Sequence, residues 1–175
     1  IVPAANFERE LGHRTVTATT FAGVPLASHA SVTRGKVMTA FARCHDAELH
    51  PGAVFEDAVA GERVDGARRG QNMAAYHWQR DGRRVACKSA QLRWDSSHEC
   101  WMLQFRNVKL ATAGGRDAAF DELLLAAYTP EGVHVFRHDL RAGVATTGKS
   151  TAAMGKVIQF VGPSREPDWR VALGE

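Results

Sequence analysis

Lys88 is the residue whose position in the sequence most strongly suggests chemistry. It lies in residues 76–89, YHWQRDGRRVACKS, where Asp81-Gly82 is a turn signal because both residues tolerate positive φ. Aromatic and β-branched residues flank the turn, so the sequence predicts a β-hairpin. Alternation along the second strand predicts that Lys88 shares a face with Ala86. The opposite face would carry Val85, Cys87 and Ser89.

This hairpin resembles the core of the PD-(D/E)xK, or restriction-endonuclease-like, nucleases. In that family one strand carries an Asp, a tight hairpin follows, and the next strand carries Asp/Glu-x-Lys. Here Lys88 matches the family lysine, and Ala86 falls on the Asp/Glu position. His77, nine residues before Ala86, falls on the Asp position. Both departures remove a carboxylate.

The resemblance implies a metal-dependent DNA endonuclease that hydrolyses phosphodiester bonds. Mg²⁺ or Mn²⁺ would orient water and neutralise phosphate charge, and the lysine would stabilise the anionic transition state. The implied catalytic positions are Lys88, Glu56 and His77, with Ala86 at the position of the missing Glu. The implied metal ligands are Glu56 and His77. If His77 is not the position aligned with the family's first Asp, Asp65, 21 residues before Ala86, is the reserve candidate.

Glu56 enters this set because residues 52–56 match a Gly-x-x-Phe-Glu pattern at the start of a family helix. The alternative is a plain surface glutamate near a helix N-terminus, where the helix dipole favours an acidic residue.

The missing carboxylates weaken the prediction of catalysis. Ala86 has no oxygen to offer a metal, and His77 suits Mg²⁺ poorly. We therefore expect weak or absent cleavage, whether Ala86 is an engineered replacement or a natural loss. The second hypothesis is a non-catalytic DNA-binding module on a nuclease scaffold.

The charge of the chain favours an anionic partner. The net charge is +3 and the isoelectric point is about 9.0. Beside a nuclease-like hairpin, clustered basic residues are better interpreted as phosphate contacts, although a solvated basic face is the alternative. The candidate nucleic-acid-binding residues are Arg68, Arg69, Arg83, Arg84, Gln91, Arg93, Lys149 and Lys156.

Two further motifs compete with this interpretation. Residues 143–150, GVATTGKS, match the P-loop pattern, which makes a nucleotide binder the third hypothesis. The preceding residues are polar and Gly155 interrupts any following helix, so phosphate-backbone contact is the preferred role for this loop.

A zinc site built from Cys44, His45, His50, His98 and Cys100 lacks paired spacing, and free cysteines with surface histidines are the stronger alternative. Cys87 is predicted to be a small core residue.

The fold prediction is a single α/β domain over residues 1–175. Its central sheet is mixed or mostly antiparallel and flanked by helices, and the resemblance makes it restriction-endonuclease-like over residues 50–137. Residues 1–29 are predicted to form an irregular arm with a short edge strand at 15–19. Helices are predicted over residues 32–43, capped by Ser31 with Val37, Met38 and Phe41 on the apolar face, and from residue 51 to 59.

Further strands are predicted from alternation and turn signals. One runs from the hairpin through Trp94, and its antiparallel partner covers residues 100–108, with Trp94 pairing Trp101. Residues 120–137 should form a hairpin of a buried strand and a neighbour nearer the edge. The last strand is predicted over residues 154–160.

The expected surroundings follow from composition. Three cysteines without regular spacing suggest a reducing compartment, so the cytoplasm or nucleus. No apolar run approaches membrane-spanning length, so no membrane partner is expected. The resemblance implies DNA as the partner. Whether the chain forms a homodimer is left open.

Overall fold

The computed structural model describes residues 16–58, 76–108, 120–138 and 156–174. A helical segment at residues 16–20 comes first. The elements that follow are α1 (Ser31–Leu49), β1 (Phe55–Asp57), β2 (Trp78–Arg80), β3 (Arg83–Gln91), β4 (Arg93–Asp95), β5 (Cys100–Val108), β6 (Glu122–Thr129), β7 (Gly132–Arg137), β8 (Lys156–Val161) and α2 (Trp169–Leu173).

The strands form two sheets. The larger has the order β1-β2-β3-β6-β7, and the smaller has the order β4-β5-β8. β3 and β6 pair in parallel, and the other pairings of the described strands are antiparallel. The prediction of a mixed α/β fold with a mostly antiparallel sheet is therefore confirmed. Helices are few: α1 contacts β3 and β6, and the short α2 contacts β5.

The predicted hairpin forms at Asp81-Gly82. Both residues have positive φ, at 49° and 76°, as a tight two-residue turn between twisted strands requires. Asp81 also fixes the turn to the residue before β1. Its backbone N–H donates a 2.9 Å hydrogen bond to the Val54 carbonyl, and its Oδ1 accepts a 2.9 Å bond from the Val54 N–H.

The two faces of β3 have different partners, as alternation predicted. The Cys87 thiol lies within hydrogen-bonding reach of Thr39 on α1, and Ser89 Oγ approaches Gly35 of the same helix. Lys88 is on the opposite face, in register with Leu125 of β6. Leu125 shares a cavity with Leu103 and Phe105 of the smaller sheet, so this second face is turned towards that sheet.

Several other strand predictions are confirmed. β5, β6, β7 and β8 occur close to their predicted positions. Every residue of β6 is buried, whereas β7 is the last strand of the larger sheet. Trp94 and Trp101 pair directly across β4 and β5, with ring centroids 5.5 Å apart.

Three element predictions are wrong. β3 does not continue through Trp94, because the chain crosses between the sheets at buried Leu92, whose N–H donates to the Tyr128 carbonyl at 2.9 Å. Residues 55–57 are strand rather than helix, because they pair with β2, and Pro51-Gly52 forms a turn instead of a helix start. Residues 16–20 are helical rather than an edge strand.

The first long helix differs from its prediction in length and in its buried face. It extends to Leu49, and its N-cap residue is Ala30, without a side-chain capping bond from Ser31. Met38 is buried as predicted, but Val37 and Phe41 are exposed. The buried face instead follows Met38, Ala42 and Asp46, which lie four residues apart along one side of the helix.

Candidate functional site

The hairpin brings His77 and Lys88 together. His77 Nδ1 accepts a 3.0 Å hydrogen bond from the backbone N–H of Cys87, and the His77 N–H donates to the Val85 carbonyl at 2.8 Å. These bonds hold the imidazole against the middle of β3. Lys88, half-buried, is the next residue along that strand. The charge of Lys88 acts on the imidazole, so the two side chains lie near each other.

The environment keeps His77 neutral. Burial lowers the pKa of His77 to about 4, and the positive charge of Lys88 contributes to this lowering. Because a backbone N–H donates to Nδ1, the proton of the neutral ring is on Nε2. At neutral pH the pair therefore consists of one ammonium group beside one uncharged imidazole.

The donor atoms around Lys88 do not match a Mg²⁺ site. Ala86 is fully buried and offers no oxygen, and the His77 nitrogen that could bind a metal already accepts the Cys87 N–H. Magnesium prefers several oxygen ligands. Among the residues that the structure describes, no three His, Cys, Asp or Glu side chains form a group that could hold a metal ion. Asp65, the reserve ligand, lies outside the described residues.

Glu56 is placed away from Lys88. It is exposed on β1 and pairs with Gln79 of β2, which in turn pairs with Arg84 of β3. Arg84 precedes Lys88 by four residues, or roughly 13 Å along the strand, and β1 is two strand spacings, about 10 Å, from β3. The predicted helix that would have directed Glu56 towards Lys88 does not form.

The candidate nucleic-acid-binding residues have different environments. Arg93 donates to Gln104 Oε1 at 2.6 Å on the smaller sheet, and Gln91 is the half-buried last residue of β3. Residues Arg68, Arg69 and Lys149 lie outside the described part of the chain, as does the P-loop-like segment at 143–150. Lys156 begins β8, but its side chain is not described.

A buried ionic network was not predicted from the sequence. The guanidinium of Arg80 lies between two buried carboxylates, contacting Asp46 of α1 and, at 2.7 Å, Glu122 Oε1 of β6. Trp78 Nε1 donates to the second oxygen of Asp46 at 2.9 Å. A signal was present, since Asp46 follows Met38 and Ala42 on one helical face and Arg80 alternates with buried Trp78.

Two arginines, Arg83 and Arg137, contact the outer side of this network, and with Arg84, the sequence neighbour of Arg83, we call them the arginine rim. Arg83 Nε lies 3.2 Å from Glu122 Oε1, and Arg137 Nε lies 3.8 Å from Glu122 Oε2. Their side chains remain 57% and 68% exposed. The three guanidinium groups of Arg80, Arg83 and Arg137 face two buried carboxylates, so this cluster carries one net positive charge.

Arg84 is held differently from the other two rim arginines. Its guanidinium binds both carboxylate oxygens of Asp121, with NH2–Oδ1 at 3.0 Å and Nε–Oδ2 at 3.2 Å. The Arg84 side-chain hydrogen bonds lower the pKa of Asp121. This pair is charge-balanced, so the one excess positive charge of the rim is shared between Arg83 and Arg137.

The cysteines of the described chain are free thiols. Cys87 and Cys100 are buried and Cys44 is exposed. Burial raises the pKa of Cys87 to about 12, so this thiol is protonated at neutral pH and is a poor nucleophile. The prediction that Cys87 is a small core residue is confirmed.

No protein-family model, curated protein or solved structure matches this chain. None of the helices in the described ranges is both long enough and apolar enough to cross a bilayer. Any functional conclusion therefore depends on the chemistry of the site.

Proposed function

We propose that this protein is a non-catalytic nucleic-acid-binding module built on a restriction-endonuclease-like sheet, with DNA as its partner. The observation that carries the proposal is the pair of Lys88 and neutral His77 on the hairpin, with buried Ala86 at the position of the family carboxylate. The pair retains the family's cation, half-buried on the face of β3 that is turned towards the smaller sheet, and lacks oxygen atoms that would bind Mg²⁺.

The arginine rim supports this proposal at the surface. Arg83 and Arg137 are exposed, and either one can turn from Glu122 towards a phosphate while the other remains, with Arg80, to balance the two buried carboxylates. Guanidinium groups bind phosphate in a planar, two-pronged geometry, which suits a sugar–phosphate backbone. The net charge of +3 would assist the encounter with a polyanion.

A metal-dependent endonuclease is the second candidate. It is favoured by the match of Lys88 to the family lysine after a confirmed tight hairpin. The described residues near Lys88 do not provide the oxygen ligands that a metal-assisted step requires.

DNA binding is tested by fluorescence anisotropy with a labelled duplex over a series of salt concentrations. The double variant Arg83→Ala/Arg137→Ala should weaken binding and reduce the salt slope by about 0.9 for each phosphate that the protein no longer neutralises. Lys88→Ala should also weaken binding. The matched control is Arg165→Ala, which removes an exposed arginine paired with Glu99 and should leave the slope unchanged. Absence of binding at low salt, or equal weakening in all variants, would overturn the proposal.

Cleavage of plasmid DNA with Mg²⁺ or Mn²⁺ separates the two candidates. On the proposed function, neither this chain nor Ala86→Glu cleaves, while the unmodified chain still binds DNA. If Ala86→Glu cleaves and the added change Lys88→Ala abolishes that activity, the endonuclease scaffold is intact and the second candidate is correct. Because residue 86 is fully buried, a glutamate there could prevent folding, so circular dichroism of Ala86→Glu is used to test whether the variant folds.

A further inference from the structure

A cavity of about 390 Å³ lies between the two sheets. Its walls are formed by Leu125 and Ala127 of the larger sheet and by Leu103, Phe105, Ile158 and Phe160 of the smaller one. β7 and β8 are the last strands of their respective sheets, and both contribute to the lining. Phe136 and Phe160, 53% and 37% exposed, place the opening between these two strands.

One corner of the cavity is polar. Buried Thr129 and half-buried His134 are joined by a 2.9 Å contact between Oγ1 and Nε2. The other ring nitrogen, Nδ1, has no hydrogen-bond partner among the described residues. Phe136 stacks on the imidazole, with the ring planes 9° apart and the centroids 6.4 Å apart. The cavity thus combines apolar walls with a hydrogen-bonding corner and an aromatic rim, and Gln159 of β8 also contributes to its lining.

The size and shape of the cavity restrict what can occupy it. Packed protein cores contain few voids larger than a water molecule, whereas ligand pockets are typically about 300–1,000 Å³. Stacked sheets lie about 10 Å apart, and an α-helix with its side chains is about as wide. The gap left between the inward side chains therefore admits a flat molecule but excludes a helix from a partner protein.

We infer that this cavity binds a small, flat, mainly apolar molecule carrying one hydroxyl group. The ring system lies between the two apolar walls, and the hydroxyl hydrogen-bonds with His134 or Thr129. This site is separate from the proposed nucleic-acid contacts and does not depend on them.

The probes for the test are 2-naphthol and naphthalene, which differ by one hydroxyl group. Proton–nitrogen correlation NMR on the full chain should show saturable shifts of backbone amides in β6 and β7. We expect 2-naphthol to bind several-fold more tightly than naphthalene. His134→Phe should remove that preference while retaining binding of both probes.

A cavity-filling variant and a matched control locate the site. Ala127→Leu places a larger side chain in the cavity and should reduce affinity at least about tenfold. Val161→Ala, on the exposed outer side of the same edge, should leave it unchanged. If Ala127→Leu does not fold by thermal denaturation, Phe160→Trp replaces it, because it narrows the opening from a partly exposed position.

Three results would overturn the inference. They are the absence of saturable shifts with either probe, shifts confined to amides away from the cavity-lining strands β5 to β8, and undiminished affinity in the folded cavity-filling variant. Shifts of these amides that depend on protein concentration and not on the probe would identify a second copy as the occupant, and would also overturn it.

Discussion

His77 holds its position through a hydrogen bond that only an unprotonated nitrogen can accept. Protonation of Nδ1 would turn it away from the Cys87 N–H and place a second cation beside Lys88. Burial of the ring adds to the free-energy cost of charging it. The folded protein therefore takes up this proton near pH 4, whereas the unfolded chain takes it up near pH 6.5.

This difference predicts acid sensitivity in a defined window. The unfolded state binds more protons between pH 6.5 and pH 4, so the free energy of unfolding decreases as the pH falls through that range. The contribution of His77 is up to about 3 kcal/mol. His77→Asn should reduce the pH dependence of the free energy of unfolding, since the amide oxygen accepts the same hydrogen bond without titrating.

Urea denaturation at pH 7 and pH 4 measures the effect. His29→Asn is the control, because His29 is exposed and lies away from Lys88, so the variant should keep the pH dependence of the unmodified protein. Identical pH dependence in the unmodified protein and His77→Asn would assign the sensitivity to other groups.

The hairpin that carries His77 and Lys88 depends on the backbone conformation of its turn. Gly82 has φ of +76°, a left-handed conformation that costs a residue with a Cβ about 1–2 kcal/mol. No atom lies within 4 Å of a Cβ built there, so the expected effect is backbone strain alone.

Two glycine substitutions should therefore change the free energy of unfolding in opposite directions. Gly82→Ala should decrease the free energy of unfolding by about 1 kcal/mol. Gly35→Ala, inside α1, should increase it by about 0.5–1 kcal/mol, because its Cβ would meet Ser89 Oγ at an ordinary 3.4 Å. Urea titrations of both variants provide the comparison, and destabilisation by Gly35→Ala would show that the helix and β3 are packed too tightly for a methyl group.

Local patterns explain which elements could be predicted from the sequence. The hairpin and β5 to β7 follow from turn residues and alternation, which are encoded within a few residues. β1 could not be predicted in this way, because Phe55–Asp57 becomes strand only through its pairing with β2. The crossing between the sheets at Leu92 could not be predicted for a similar reason, since an apolar residue fits equally well inside one strand or between two.

The candidate site could be predicted from the sequence only for those residues that belong to a single local element, the hairpin. The proximity of His77 and Lys88 follows from the hairpin. The placement of Glu56 depended on a helix that does not form. The buried network and the cavity join residues distant in sequence, such as Arg80 and Glu122, which are 42 positions apart.

At the scale of the whole molecule, Arg80 connects the helix and the sheet. It binds Asp46 of α1 and Glu122 of β6 while itself belonging to β2. Removing one member of a buried charged group leaves the others desolvated without compensation, which typically costs about 3–5 kcal/mol.

Arg80→Met should therefore reduce the free energy of unfolding by about 3–5 kcal/mol, measured by urea denaturation at pH 7. The control is Asp57→Ala, which removes an ion pair with Arg43 at 3.8 Å from a side chain that is 90% exposed. That change should cost no more than about 0.5 kcal/mol. Similar effects in both variants would show that Arg80 does not stabilise the fold through its charge.

The parallel pairing of β3 with β6 has a consequence for how the chain folds. Arg84 and Asp121, which meet where this pairing begins, are 37 positions apart, and β4 and β5 of the smaller sheet lie between them in the chain. Such non-local contacts slow folding, because the loop must close before any pairing energy is gained. During synthesis on the ribosome, β3 can pair with β2 at once, but its other edge lacks a partner and is open to aggregation until β6 has emerged.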